Sequence, residues 1–379
     1  MEQFITPQGR FKLARYPIRK NDKLRAWDAA DEYLLQQLAE NSTLEPTAEI
    51  LILNDNFGAL SVGLARYSVQ MFSDSVLSHQ STLLNLQNNG LSSKNIRLLS
   101  SIDFPIGKLD QVLIKIPKSL AFLEDQLHRI RPYVDHHTQV WAAGMVKTIH
   151  TSTLKLFERI LGPTKTSLAQ KKARLIFCTP DAGLSPTSSS SLVEYPLDLY
   201  DWTLVNHANV FSRERLDIGT RFFLKQLSAR TESRKIIDLG CGNGVLGLVA
   251  ARCNPKAELT FADESFMAIA SAKKNFDNLF AGTRKADFHV TNCLSGIAGT
   301  EFDWVLCNPP FHHQNTRGDA IAWEMFNDSK RVLKPKGELW VIGNRHLPYH
   351  IKLKRIFGNA TLIASNNKFV VVKAIKSRK

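Results

Sequence analysis

In FDWVLCNPPFHH, Phe302 to His313, an apolar run ends abruptly in an asparagine, two prolines and a phenylalanine. Proline fixes its own φ and donates no hydrogen bond, so Pro309 and Pro310 end a strand and stiffen its carboxyl end. Asn308 is thereby held at the lip of that strand, with a carboxamide that can both accept and donate. Taken alone, an Asn-Pro pair reads equally well as a turn starter, so the chemistry must be decided by what else the chain brings to that lip.

A second stretch, DLGCGNG from Asp238 to Gly244, follows the apolar run KII and opens a helical pattern. Gly240, Gly242 and Gly244 allow a tight turn and a close backbone approach to a ligand. The spacing is G-x-G-x-G rather than the dinucleotide spacing G-x-G-x-x-G, and Asp238 precedes it. That pattern favours S-adenosylmethionine, which has no pyrophosphate to cradle and presents an amino acid, a sulfonium and a ribose. Asp263 ends the next strand, LTFAD, where a carboxylate can accept from two ribose hydroxyls, with Glu264 beside it as the alternative. Asn292, in HVTNCL, lies where adenine is contacted in such sites. Each of these polar residues also has a plainer reading as a helix cap or turn residue.

The elements that must position these groups alternate between strand and helix, which predicts an α/β fold with a largely parallel sheet covered on both faces. Ligands then lie outside the carboxyl ends of the strands. The chain of 379 residues is long enough for two domains, and its halves run in parallel. RKIIDLGCGNGVLGLVA is matched by EILILNDNFGALSVGLA, TFADESFMAIASAKKNFDNLF by MFSDSVLSHQSTLLNLQNNGL, and FDWVLCNPPF by LDQVLIKIPK. We therefore expect two tandem Rossmann-like domains from an internal duplication: residues 1–180, a Ser- and Pro-rich linker over 181–196, and residues 197–379. Aligned on Gly58 and Gly244, the first half has Ile52, Asn54 and Asn56 for Asp238, Gly240 and Gly242, and Lys115 and Ile116 for Asn308 and Pro309. Asp74 stands opposite Asp263. The first domain is accordingly expected to bind no cofactor.

Composition narrows the class further. A formal charge of +14 and basic stretches such as QKKAR and IKLKR favour a polyanionic partner, with RNA preferred to membrane. No apolar run approaches bilayer length, and the opening residues lack the apolar core of a secretory signal. Cys178, Cys241, Cys253, Cys293 and Cys307 are odd in number and show no C-x-x-C spacing, which predicts reduced thiols in the cytoplasm, with neither a disulfide framework nor a metal site.

With DLGCGNG and NPPF on the page, the chain resembles the class I methyltransferases that modify exocyclic amino groups, and its paired halves resemble the bacterial ribosomal RNA guanine-N2 methyltransferases. The resemblance covers almost the whole chain. In HANVFSRERLDIGTRFF it assigns Phe211, Asp217 and Gly219 to a loop over the methionine end of the cofactor. It implies transfer of a methyl group to the N2 of a guanine in 23S ribosomal RNA, with 16S ribosomal RNA or a protein glutamine as alternative acceptors. Asn308 and the Pro309 carbonyl would accept the two amino hydrogens, Pro310 would keep them rigid and Phe311 would stack on the base. His312 and His313 are expected to line the cleft. A rival of another class, an RNA-binding protein with a decayed site, is disfavoured by the intact glycine loop and NPPF.

Overall fold

The computed structural model describes residues 3–19, 22–41, 44–185, 192–228, 234–310 and 316–378. The chain divides into two compact units, Met1–Ser191 and Leu192–Lys379.

In the second unit, short apolar runs become buried strands because helices cover the sheet on both faces. Its seven strands stand in the order Ala286–Val290, Glu258–Asp263, Lys235–Leu239, Phe302–Cys307, Leu333–Asn344, Phe369–Ile375 and Thr361–Ser365. The first five are parallel, and the last two form an antiparallel hairpin at the edge. One face buries Ile236, Trp304 and Leu306 under the helices Val245–Cys253 and Phe266–Phe280, whereas Ile237, Val305 and Cys307 belong to the core on the other face. The alternation of those residues along single strands is what two covered faces require.

The order reverses between Lys235–Leu239 and Phe302–Cys307, which are adjacent, with Leu239 paired to Cys307. The glycine loop leaves the first of these strands and Asn308 ends the second. Both sequence motifs therefore open at the switch point, where a parallel sheet leaves a crevice.

The first unit carries the same strand order and the same directions: Ile96–Ser100, Ser68–Ser73, Glu49–Leu53, Gln111–Lys115, Gln139–Met145, Ala173–Cys178 and Thr164–Thr166. Sheet register fixes which residues correspond. Leu53 pairs with Ile114 where Leu239 pairs with Cys307, so Lys115 occupies the place of Asn308. Leu53 pairs with Phe72 where Leu239 pairs with Ala262. This puts Ser73, and not Asp74, opposite Asp263, one residue away from the alignment expected from sequence. The reason is the start of the following helix, capped by Ser75 in one unit and Ser265 in the other. The amide of Ser75 donates to Ser73 Oγ at 3.1 Å, and that of Ser265 to Asp263 Oδ1 at 3.0 Å. Asp74 accepts instead from the Ser101 hydroxyl at 2.6 Å.

One asparagine does the same work in each unit. Asn85 Oδ1 accepts from the Ala14 amide, and its Nδ2 donates to the carbonyls of Ala14 and Phe57, each at 2.8 Å. Asn275 Oδ1 accepts from the Val205 amide at 2.7 Å, and its Nδ2 donates to the carbonyls of Val205 and Asn243 at 2.9 and 3.1 Å. Each carboxamide is fully buried and ties an incoming arm to the loop after the first sheet strand.

The stretch expected to be linker is partly structured. Val193–Leu197 pairs with Trp202–Asn206 as an antiparallel hairpin, and Tyr195 and Leu197 are buried in the second unit's core. The serine run Ser188 to Ser191 lies outside the described residues. All five cysteines are free thiols.

Candidate active site

The glycine loop is folded over the end of the neighbouring strand. The amides of Gly240 and Cys241 both donate to the Ala262 carbonyl, at 2.8 and 3.1 Å. The Gly242 amide donates to Asp263 Oδ2 at 2.9 Å. Gly244 lies at φ 84°, and a Cβ there would stand 3.0 Å from Ala272 Cβ, so glycine is needed for packing. Gly242 lies at φ 54° with nothing among the described residues within 4 Å of where its Cβ would be, so glycine there leaves room above the loop. A ligand that must approach this backbone closely has that room.

Asp238, expected at the cofactor, is fully buried. Its Oδ2 accepts from the Gly247 amide at 2.7 Å in the first turn of the following helix, while Oδ1 has no partner among the described residues. Burial pushes its carboxyl up to about 8, with the charge of Asp263 adding to the rise and the Gly247 amide opposing it. Asp238 therefore anchors the helix from beneath the loop.

Asp263 is half-buried and bridges the loop to the next helix through the amides of Gly242 and Ser265. A carboxylate so held keeps lone pairs for further donors. Glu264 beside it is exposed. Asn292 donates through Nδ2 to Glu324 Oε1 at 2.7 Å. This fixes its carboxamide from the helix Thr316–Val332, a partner that sequence reading did not supply.

Asn308 is the best-defined group of the site. Its Nδ2 donates to Thr220 Oγ1 at 3.0 Å, and its Oδ1 is buried without a partner among the described residues. Thr220 sits in the short helix Ile218–Leu224, whose N-cap is Asp217. The Asp217 carboxylate accepts through Oδ2 from the Thr220 amide at 2.8 Å and from its hydroxyl at 3.2 Å. Gly219 is buried, and a Cβ there would come to 3.0 Å from Asp217 Oδ2 and 3.1 Å from the Phe369 ring. The structure thus brings Asp217, Gly219 and Asn308 together through a threonine that sequence reading missed. The hydroxyl three residues after an aspartate cap was the only local sign of it, and its link to Asn308 spans 88 positions.

Phe211, by contrast, is 52% exposed. Pro309 is buried and Pro310 exposed, while Phe311, His312 and His313 lie outside the described residues. Among the described residues, no group of three His, Cys, Asp or Glu could hold a metal ion, and no helix is long and apolar enough to cross a membrane.

The same positions in the first unit are filled by protein. Asn54 takes the place of Gly240 at φ 65°, and its Nδ2 donates to the Lys115 carbonyl and to Gln126, both at 2.9 Å. Lys115 Nζ pairs with Asp28 at 2.8 Å and Asp31 at 2.7 Å. Burial opposes the charge of Lys115, but the two carboxylates outweigh it and hold the amine above its ordinary value. Burial also raises Asp31, to about 6. The helix amide that Asp238 holds in the second unit has its counterpart in that of Ser61, which donates to Asp55 Oδ2 at 2.8 Å.

Residues 1–182 match the RLMG N-terminal domain and residues 201–373 the methyltransferase small domain. The ribosomal RNA large subunit methyltransferase G of Streptomyces griseus is 51% identical over 383 residues, covering 99% of this chain and all of that protein. Its namesake from Aeromonas hydrophila is 50% identical over 377 residues and covers 98% of both chains. Among solved structures, the T. thermophilus 16S rRNA N2 G1207 methyltransferase, in complex with AdoMet and guanosine, superposes with a TM-score of 0.76. It is 20% identical and covers 99% of this chain and 97% of that one, a likeness of fold. By full-length identity to its relatives, the chain belongs to the ribosomal RNA large subunit methyltransferase G family.

Proposed function

We propose that the unit Leu192–Lys379 transfers a methyl group from S-adenosylmethionine to the exocyclic N2 of a guanine in 23S ribosomal RNA, in the cytoplasm. The observation that carries this reading is the Asn308 carboxamide, whose nitrogen is taken by Thr220 and whose buried oxygen is left to accept. An unpartnered buried acceptor is costly and rare, and an amino hydrogen of the acceptor base supplies its missing donor.

S-adenosylmethionine, when bound, supplies a sulfonium methyl that is already a strong electrophile. The chain's task is therefore to prepare the nucleophile. A guanine amino nitrogen is planar, its lone pair drawn into the ring. With Asn308 Oδ1 and the Pro309 carbonyl each accepting one amino hydrogen, the remaining direction on nitrogen is the one along which a bond can form. The two oxygens also face the positive charge that grows on nitrogen, and their fixed dipoles stabilise it without reorganising. Pro309 and Pro310 keep that edge from flexing. The proton leaves to water after transfer, when the nitrogen has become acidic, and no general base is assigned. Phe311 stacks on the flipped base.

The room above Gly242 and the acceptor oxygens beside it suit the cofactor. Asp263, with Glu264 next to it, would take the ribose hydroxyls and Asn292 the adenine. Phe211, Asp217 and Gly219 would border the methionine end, while Asp238, Gly240 and Gly244 shape the loop. The unit Met1–Ser191 we assign to RNA contact and to descent from the same ancestor by tandem duplication. The shared strand order and the paired roles of Asn85 and Asn275 support that descent.

The test is methyl transfer from labelled S-adenosylmethionine to 23S and 16S rRNA purified from cells lacking the protein, followed by nucleoside analysis. N2-methylguanosine from 23S rRNA is the expected product. Label only in 16S rRNA, or in neither, would overturn the assignment of substrate.

A further inference from the structure

We infer that Thr220 is a positioning residue that sets which way the Asn308 carboxamide faces, by relaying the polarity of the Asp217 carboxylate. The inference rests on the reading of Asn308 as the acceptor for the base. A carboxamide is nearly symmetric in shape, and rotating it by half a turn exchanges an acceptor for a donor. An inverted Asn308 would turn its NH2 toward an amino group that offers only hydrogens, and the clamp would be lost. Its steric surroundings do not choose between the two orientations, so a hydrogen bond must.

The relay makes that choice in two steps. The Asp217 carboxylate has no hydrogen to give, and it already accepts from the Thr220 amide at 2.8 Å. The Thr220 hydroxyl, 3.2 Å from the same oxygen, therefore donates its single hydrogen to it. That leaves Thr220 Oγ1 as an acceptor, and only the NH2 of Asn308 can fill it, at 3.0 Å. Asn308 Oδ1 is thereby kept on the far side, where it has no protein partner among the described residues. Thr220 is buried, so water does not compete for the hydroxyl. Inverting Asn308 would cost that hydroxyl one of its two bonds, because its single hydrogen cannot serve both the Asp217 carboxylate and an inverted Asn308 oxygen.

The relay predicts a particular pattern of non-additivity. Thr220→Val keeps the shape and removes the hydroxyl. Asp217→Ala removes the oxygen that takes the hydroxyl's hydrogen, which leaves Thr220 free to donate to an inverted Asn308. Each should lower kcat for 23S rRNA by roughly tenfold, as loss of one orienting hydrogen bond does, with KM nearly unchanged. Because both act through the same carboxamide, the double variant should lose no more than either single one. Thr220→Ser should restore most of the rate. Equilibrium dialysis should show the S-adenosylmethionine affinity of Thr220→Val at the wild-type level. A multiplicative loss of roughly a hundredfold in the double variant, failure of serine to rescue, or weakened cofactor binding by Thr220→Val would each overturn the relay. If the wild-type protein forms no N2-methylguanosine, the functional reading fails instead, and the relay with it.

Discussion

The two units put the same strand end to opposite uses. At the carboxyl end of the fourth strand of each sheet in chain order, the second unit has Asn308, whose buried oxygen has no donor among the described residues. The first has Lys115, whose amine is satisfied by Asp28 and Asp31. The neighbouring loop follows suit, with room over Gly242 in one unit and Asn54 bonded to Lys115 and Gln126 in the other. One crevice keeps polar atoms in reserve, and the other spends them internally. A parallel sheet leaves a crevice at its switch point whether or not a ligand comes. In the first unit the Lys115 and Asn54 side chains fill that crevice and are satisfied within it.

The largest effect should come from Asn308→Ala. Methyl transfer should fall by more than about a hundredfold, as for loss of a fixed group facing developing charge, while equilibrium dialysis shows S-adenosylmethionine still bound. Unchanged turnover would remove the distinction between the two strand ends. Next, Lys115→Met should destabilise the first unit by about 3–5 kcal/mol in urea unfolding, because it strands the buried Asp31 carboxylate. Cofactor affinity should not move, and a cofactor affinity that fell with it would mean the first unit's crevice is in use. Third, Gly242→Ala should cost only about 1 kcal/mol of stability, for a strained positive φ, but should weaken cofactor binding, since its Cβ enters the open space over the loop. The matching change Asn56→Gly should leave stability and cofactor affinity as they are.

The last effect concerns pH. Asp238 is raised from 3.8 to about 8 in the folded chain, so the folded state keeps a proton that the unfolded state sheds. Stability therefore falls as pH rises across that window, by at most about 1.4 kcal/mol per pH unit. Asp238→Asn still accepts from the Gly247 amide and should flatten that decline in thermal melts between about pH 5 and 8. A slope identical to wild type would show that Asp238 is not held protonated.

The largely parallel sheet, the glycine loop and the strand-ending prolines were legible because strand and helix patterns alternate and glycine and proline mark the chain locally. Asp217 and Asn308 could be singled out from their motifs, but not the threonine between them. A bond between positions 88 residues apart leaves no trace in spacing. Asp238 carries a duty its place before the glycine loop did not disclose: its Oδ2 accepts from the Gly247 amide. In the first unit that duty passes to Asp55, at a different position, which no residue-by-residue alignment of the halves could show. The slip at Asp74 had its cause in a serine cap that outranks similarity of charge.

Asn275 also bears on where the second unit can be cut. Its carboxamide closes a loop of chain reaching back 70 positions to Val205 and also donates to the glycine loop at the Asn243 carbonyl. A fragment trimmed to begin beyond Asn206 would keep the cofactor motifs and NPPF whole, yet leave a buried amide group facing an empty berth. The minimal folding unit is longer than the minimal reading of its motifs.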